Sequence, residues 1–426
     1  MMSITKILSF GSRPIFAKGQ ERNFQYLLAF LWGYNLIVSY FIAFIKNFTM
    51  FAVLDDLIVP LTIILLVLFS ARYIISVNSK WTWLIFFFLC ILLLASSAFG
   101  NPVQAQGFES FGLQVVVAVP YILVGSGLDY RRDFTLLTII SWLNIVGAIF
   151  YQFYYLSSGR EVDDDMMALA YYLLPNVIIC FLSAFQRNLL ISWIVGICGT
   201  LMLFVAGTRG AVVAVAVFFL LYLFLYTLPH GRNKIRTIML IIIIGLIIIT
   251  YFTAFFDYTS NLGFGTRIYD QLTGNVEMTG SGRERMHAVS IQEIMNQGFF
   301  GHGVFGEQYL YRNIVGKYTY PHNLVLELML QFGLFIGGIL VIMVFYLPIK
   351  AYKIEIKNRN YRTAMFIVAL ATSVYMNLLF SYTFWTTPLF FFVLSYFIRL
   401  ISQKDKQEPF LLRSSHVIGK QCVVGN

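Results

Sequence analysis

Tyr320-Pro321-His322-Asn323-Leu324-Val325-Leu326-Glu327, running on through Gln331 and Gly333 to Gly337-Gly338, is where a long polar segment gives way to an apolar one. From Leu324 onward the apolar run is long enough to cross a bilayer, whose hydrocarbon core takes about 20 residues of helix. A histidine therefore stands at a boundary between water and membrane. Pro321 fits the first turn of a helix, where its missing N–H costs nothing. On that reading His322 sits at the positive end of the helix dipole, which disfavours an imidazolium and favours the neutral ring able to accept a proton. The same N–H groups suit a phosphate or a developing oxyanion. Asn323, Glu327 and Gln331 follow at i, i+4 and i+8, a polar stripe running into the membrane and expected to face the bundle interior. Gly333 and Gly337 have the G-x-x-x-G spacing of close helix packing. The bland alternative is an interfacial histidine that anchors a helix end.

The rest of the chain supplies the membrane. Of 426 residues 59% are hydrophobic and only 12% charged, far from an ordinary soluble domain. Apolar runs between charged or Gly/Pro-rich breaks predict an all-α integral membrane protein of about 12 transmembrane helices. They lie near 24–45, 57–75, 81–99, 111–128, 134–156, 166–185, 189–207, 211–228, 236–255, 322–347, 363–382 and 384–401. The formal charge of +10 is first of all loop charge that sets topology. With the N-terminus cytoplasmic, the inner loops hold Arg72 and Lys80, Arg131 and Arg132, Arg187, then Arg232, Lys234 and Arg236. Lys350, Lys353, Lys357, Arg359 and Arg362 follow, with Lys404, Lys406, Arg413 and Lys420 in the tail. The outer loops hold Asp55, Asp56, Glu109, Glu161 and Asp163-Asp164-Asp165. Every alternate loop falls on the expected side. The expectation is a single polytopic domain over 1–426 with both termini cytoplasmic. One long extracytoplasmic (periplasmic) loop, 256–321, separates helices 9 and 10, and 402–426 is a cytoplasmic tail. No removed signal peptide is expected, and no internal repeat of the transporter kind is evident.

Outward from His322, the arginines come next. Gly207-Thr208-Arg209-Gly210 divides an apolar run long enough for two spans and puts Arg209 at the outer surface with almost no loop around it. Arg283 and Arg285 lie in Ser281-Gly282-Arg283-Glu284-Arg285 of the long loop. Arginine stays charged and binds phosphate oxygens bidentately. The loop is no basic patch: Arg267, Arg283, Arg285, Arg312 and Lys317 are balanced by Asp257, Asp270, Glu277, Glu284, Glu293 and Glu307. Anion handling there would need particular arginines; the alternative is ordinary surface or snorkelling arginines. Gly301-His302-Gly303-Val304-Phe305-Gly306 matches G-x-G-x-x-G but lacks the βαβ context of a dinucleotide site, so its glycines are read as turn formers. Tyr309, Tyr311, Tyr318 and Tyr320 offer flat amphipathic faces that suit sugar rings and membrane interfaces alike. The acidic run Asp163-Asp164-Asp165 could coordinate a divalent cation but, with no second ligand cluster in sight, reads better as a solvated loop, and Cys90, Cys180, Cys198 and Cys422 have no metal-ligand spacing. Basic residues lie at the cytoplasmic ends of spans without a soluble domain, so nothing points to nucleic acid and no nucleic-acid partner is expected.

Three motifs in this order and spacing resemble the O-antigen polymerase and O-antigen ligase superfamily: Gly207-Thr208-Arg209-Gly210; Ser281-Gly282-Arg283 followed by Gly298 to Gly306; and Pro321-His322-Asn323-Leu324-Val325-Leu326-Glu327 leading to Gly333 and Gly337-Gly338. The resemblance covers about residues 200–345. It implies an inverting, metal-independent glycosyltransferase of the membrane C-type, with a polyprenyl-diphosphate-linked glycan as donor, a glycan acceptor and no cofactor. By position the two arginines and the histidine of the family correspond to Arg209, Arg283 and His322. Arg283 is preferred over Arg285 because it follows Ser-Gly. Arg285, Asn323, Glu327 and Tyr320 are the expected substrate-binding residues. The resemblance further implies the bacterial cytoplasmic (inner) membrane as location, with a chain-length regulator and a flippase of the same pathway as partners. A polymerase of O-antigen, capsule or exopolysaccharide repeat units is favoured by the Tyr-Pro-His-Asn-Leu form and by Phe380-Ser381-Tyr382 … Phe384-Trp385 … Pro388. A ligase that transfers the glycan to lipid A-core is the alternative. A lipid-linked sugar flippase is remote, because the polar candidates cluster at the outer surface and do not line a midplane path.

Overall fold

The structure, a computed structural model, describes residues 20–33, 65, 67–99, 115, 118–157, 164–206, 208–227, 239, 282–296, 299–316 and 319–403. Most of these are helical, with no strand among the described residues. In chain order the helices are α1 (Gln20–Trp32), α2 (Val67–Val77), α3 (Lys80–Phe99), α4 (Tyr121–Gly125), α5 (Tyr130–Ser157), α6 (Asp164–Arg187) and α7 (Leu190–Val205). They continue as α8 (Arg209–Tyr222, prolonged by a π turn, Leu223–Thr227), α9 (Gly282–Asn296), α10 (Tyr309–Val315), α11 (Leu324–Lys357), α12 (Tyr361–Phe380) and α13 (Pro388–Gln403). Five stretches among them are long and apolar enough to cross a membrane: Tyr130–Phe153, Leu169–Arg187, Gly210–Thr227, Leu324–Lys357 and Tyr361–Phe380. Shorter apolar helices occupy Val67–Val77, Lys80–Ser96, Leu190–Val205 and Pro388–Gln403. Nearly all of the expected span at 236–255, most of the one at 24–45, and residues 404–426 of the expected tail 402–426 lie outside the described residues. So do Gly207, Asp163 and the loop from 256 to 281. The expected span at 111–128 carries the short helix α4.

Helix α6 is the hub, packed against α5, α7, α8 and α12. An apolar residue all round a helix marks burial on every side, and Leu174, Val177, Ile178, Cys180 and Leu182 of α6 have essentially no exposure. By contrast α11 exposes Phe335, Ile339, Ile342 and Ile349, the face that a bilayer would solvate. Cationic residues gather at one end of this bundle. Arg131 donates to the Asn360 side chain, Gln186 to the Arg362 carbonyl, Arg187 to the Thr135 hydroxyl, and Arg399 to the Ser126 and Leu128 carbonyls. Because the helices alternate in direction, the start of α8, the start of α11 and the end of α12 all lie at the other end.

Helix α11 departs from the expected continuous rod. Gly333 has φ 78° and ψ 169°, a conformation essentially confined to glycine, and the helix stops and restarts there. The first piece, residues 324–332, is about 13 Å long, and the second, 334–357, about 36 Å; only the second can cross a hydrocarbon core of about 30 Å. The carbonyls freed at the break find other donors, since the Leu330 oxygen accepts from His302 N (2.8 Å) and the Gln331 oxygen from Gly303 N (2.9 Å). The fit is tight: a Cβ on Gly301 would stand 2.2 Å from the Gln331 oxygen, and one on Gly333 2.1 Å from the Phe299 oxygen. At Gly337 a Cβ would meet the Leu328 oxygen at 2.5 Å. Nine residues apart, these positions could not touch on a straight helix. The first piece is therefore folded back against the second, with Gly337 at the contact. The polar stripe of Asn323, Glu327 and Gln331 thus ends at a break and does not run down a spanning helix.

The described part of the expected long loop carries helices of its own, α9 and α10. Helix α9 packs on α10 and α11 through Met286, Ser290 and Ile294, buried at helical spacing. Ser290 Oγ is 2.7 Å from the buried Tyr311 hydroxyl.

Candidate active site

Helix α11 begins later than its proline suggests. Asn323 is the N-cap, its Oδ1 accepting from Val325 N (3.0 Å) and Leu326 N (3.2 Å), so Pro321 and His322 precede the helix. Asparagine is among the strongest N-caps, and its side chain wins over the proline's fitness for a first turn. His322 takes φ 54°, a left-handed conformation, which turns the chain sharply into the cap. It still lies beside the helix N-terminus, as an entering residue outside the first turn.

The half-buried His322 ring contacts two groups of consequence. Its centroid is 4.5 Å from that of Tyr320, and its Nδ1 hydrogen-bonds to the carbonyl of Ser381. A carbonyl only accepts, so Nδ1 carries the proton, and in the neutral ring the lone pair belongs to Nε2. The adjacent carbonyl, Phe380 O, accepts from Arg283 Nη1 at 3.0 Å. Arg283 and His322, far apart in sequence, thus converge on neighbouring carbonyls at the end of α12. The Tyr171 hydroxyl of α6 bonds to the side chains of Ser381 and Arg283. The ring of Tyr382 packs at 5.7 Å against both Tyr171 and Tyr172. Burial pushes the phenols of Tyr320 and Tyr382 well above the usual tyrosine range, so both stay protonated.

Arg209 opens α8. The next residue explains how that helix comes so near: a Cβ on Gly210 would lie 2.6 Å from the Tyr171 hydroxyl and 2.8 Å from Phe380 Cβ. The start of α8 therefore touches the residue whose carbonyl Arg283 holds. Thr208, its N-cap, spends its hydroxyl on the Leu203 carbonyl (3.1 Å) and does not cap the helix. Arg285 is not drawn into the cluster. Both side chains are exposed, but at about 100° per residue Arg285 lies about 200° round α9 from Arg283 and so faces away from the Phe380 carbonyl.

Glu327 stands behind the cluster. It is fully buried and accepts from the Thr383 hydroxyl and from Gln331 Nε2 (3.4 Å). Gln331 Nε2 also donates to Glu307 Oε1 (2.8 Å), while Gln331 Oε1 accepts from Trp385 Nε1 (2.7 Å). Glu307, Glu327, Gln331, Thr383 and the buried Trp385 thus form a polar network that holds the 381–387 turn, whose first carbonyl receives His322. Asn323 adds Nδ2 to the Leu379 carbonyl at 3.5 Å.

Sequence reasoning missed His287, whose Nε2 lies 3.0 Å from the carbonyl of Pro321. It is one turn beyond Arg283 on α9, so one face of that helix touches both the residue before His322 and the carbonyl next to its partner. The spacing of Arg283, Met286, His287, Ser290 and Ile294 carries this signal once the segment is read as a helix.

Helices of membrane-spanning length and apolar outer faces make this a membrane protein. Within it, residues 194–343 match the protein-family model described as O-Antigen ligase. That match supports the O-antigen polymerase and ligase superfamily, whose members are glycosyltransferase-like enzymes, and it takes in Arg209, Arg283 and His322. No curated protein and no solved structure matches the chain.

Proposed function

We propose that the protein is a membrane polysaccharide polymerase that joins polyprenyl-diphosphate-linked repeat units at the outer face of the bacterial cytoplasmic membrane. The observation that carries this reading is the convergence of Arg283 and His322 on the adjacent carbonyls Phe380 and Ser381, beside the start of α8. A glycan diphosphate already has a good leaving group. The acceptor hydroxyl oxygen attacks the anomeric carbon from the face opposite the diphosphate, the bond from that carbon to the diphosphate oxygen breaks, and the polyprenyl diphosphate departs with the electron pair. His322 Nε2 takes the hydroxyl proton, with Ser381 O holding the ring in the required tautomer. Arg283, Arg209 and the N-terminus of α8 offset the charge that builds on the departing diphosphate. Tyr320, Tyr172 and Tyr382 give the flat faces on which sugar rings stack. Glu327 and Asn323 act here by shaping the end of α11 and the turn against it.

Purified protein given lipid-linked repeat units, with no nucleotide sugar and no metal added, tests this directly. Long lipid-linked products support the polymerase. Product formed only when lipid A-core is supplied selects the ligase named by the matched family. His322→Ala should keep donor binding within a few-fold while turnover falls; unchanged chain length and yield at normal protein level would sink the assignment.

A further inference from the structure

We infer that α9 and the turn that follows it form a lipid-docking surface, lying in the outer interface of the bilayer and not in free solvent. Helix α9 has three sides. One, with Met286, Ser290 and Ile294, is buried on α10 and α11. A second, with Arg285, Gln292 and Asn296, is exposed and polar. The third opens with the exposed Glu284 in the first turn, then carries Ile291 and Met295, exposed at 56% and 73%, and leads to Phe299 and Phe300, exposed at 71% and 80%. Scattered exposed apolar residues need no explanation, but four large ones gathered at one end of a polar segment do.

Their position identifies the occupant. The Phe299 carbonyl is seated against Gly333, within 2.1 Å of where a Cβ would be. Directly after Gly333 come Leu334, Phe335 and Ile336, exposed at 45%, 62% and 48%, which begin the bare apolar face of the spanning piece of α11. Phe299 and Phe300 therefore continue the apolar face that a bilayer would cover, at the level where the spanning piece of α11 begins. A helix with one polar and one apolar exposed side beside such an edge lies in the interface plane, its aromatic and aliphatic side chains at the headgroup boundary. Seated this way, α9 keeps Arg283 at a fixed depth. This inference rests on the apolar surface alone and holds whatever reaction the cluster performs.

A photoreactive phenylalanine analogue placed in turn at Phe300, Phe335 and Gln292, in the full-length protein in native membranes, tests the docking. After irradiation, mass spectrometry separates phospholipid adducts from protein cross-links. Position 300 should give phospholipid adducts in yield comparable to position 335 and in several-fold excess over position 292. Cross-links from position 300 chiefly to this chain or a second copy would show that protein covers the patch and would overturn the inference. Adducts of water alone would overturn it as well. Phe299→Ser with Phe300→Ser, in a variant that still reaches the membrane, supplies the second reading. Protease cleavage within α9 should rise several-fold relative to the parent, and unchanged cleavage counts against docking.

Discussion

The break in α11 makes a quantitative prediction about three glycines. At Gly333 an alanine would have to hold φ 78° and ψ 169°, a region costing an L-residue roughly 1–3 kcal/mol. Its methyl would also stand 2.1 Å from the Phe299 oxygen and 2.8 Å from Gly301 N, so the 299–303 backbone must retreat. Retreat breaks the bonds from His302 N and Gly303 N to the freed carbonyls, each worth about 0.5–1.5 kcal/mol net and more if a carbonyl is left buried and bare. The sum is about 2–6 kcal/mol. At Gly338 nothing lies within 4 Å of an added Cβ, and alanine there gains up to about 1 kcal/mol of helix propensity. Gly337→Ala should sit between the two, because its methyl meets the Leu328 oxygen at 2.5 Å across the fold-back. Unfolding in mixed micelles, followed by protease resistance of the 299–333 junction and by the tryptophan signal, should rank the variants Gly338→Ala at or above parent, then Gly337→Ala, then Gly333→Ala. A Gly333→Ala protein as stable as parent, or a Gly338→Ala protein as damaged as Gly333→Ala, would refute the reading of α11 as two pieces.

Arg283→Ala should lower turnover by roughly 100-fold or more while Arg285→Ala stays within about tenfold, its effect being that of a distant charge; equal losses in a single-turnover assay would show that the Phe380 contact does not select the arginine. Thr383→Val removes the hydroxyl that donates to buried Glu327 and should cost about 1–3 kcal/mol of stability, with a fall in kcat larger than any change in KM because the turn that receives His322 is loosened. Burial raises the Glu307 carboxyl to about 7 against its ordinary 4.5, although the Gln331 amide pulls the other way. A raised folded-state value makes the protonated form the stable one, so this contribution is whole below about pH 4.5 and is lost as pH climbs through about 7, some 3 kcal/mol at most. Glu307→Gln should therefore abolish that part of the pH dependence in thermal unfolding, and parallel curves for variant and parent would contradict it.

What the sequence disclosed here follows from period and composition. Apolar run length gives the long helices, and the order Arg209, Arg283, His322 foretells groups that share one end of the bundle. Three things escaped. The start of α11 falls later than Pro321 predicts because Pro321 and Asn323 compete, and a local side-chain cap outweighs a permissive ring at N1. The break at Gly333 is hidden in the sequence, since a G-x-x-x-G spacing looks the same whether its first glycine is packed or left-handed. The receivers of Arg283 and His322 were invisible because they are backbone carbonyls, which every residue has. His287 and the face it shares with Arg283 needed the polar segment to be read as a helix, and its lack of net hydrophobicity hid the period.

The left-handed backbone at His322 sets selection for folding against selection for function. An L-residue there carries a cost of roughly 1–2 kcal/mol that glycine would not. A lineage released from the need for this imidazole would drift at position 322 to glycine or asparagine and fold better for it. A histidine kept in that seat is thus a standing charge on the stability of the protein, offset only by what the ring does there.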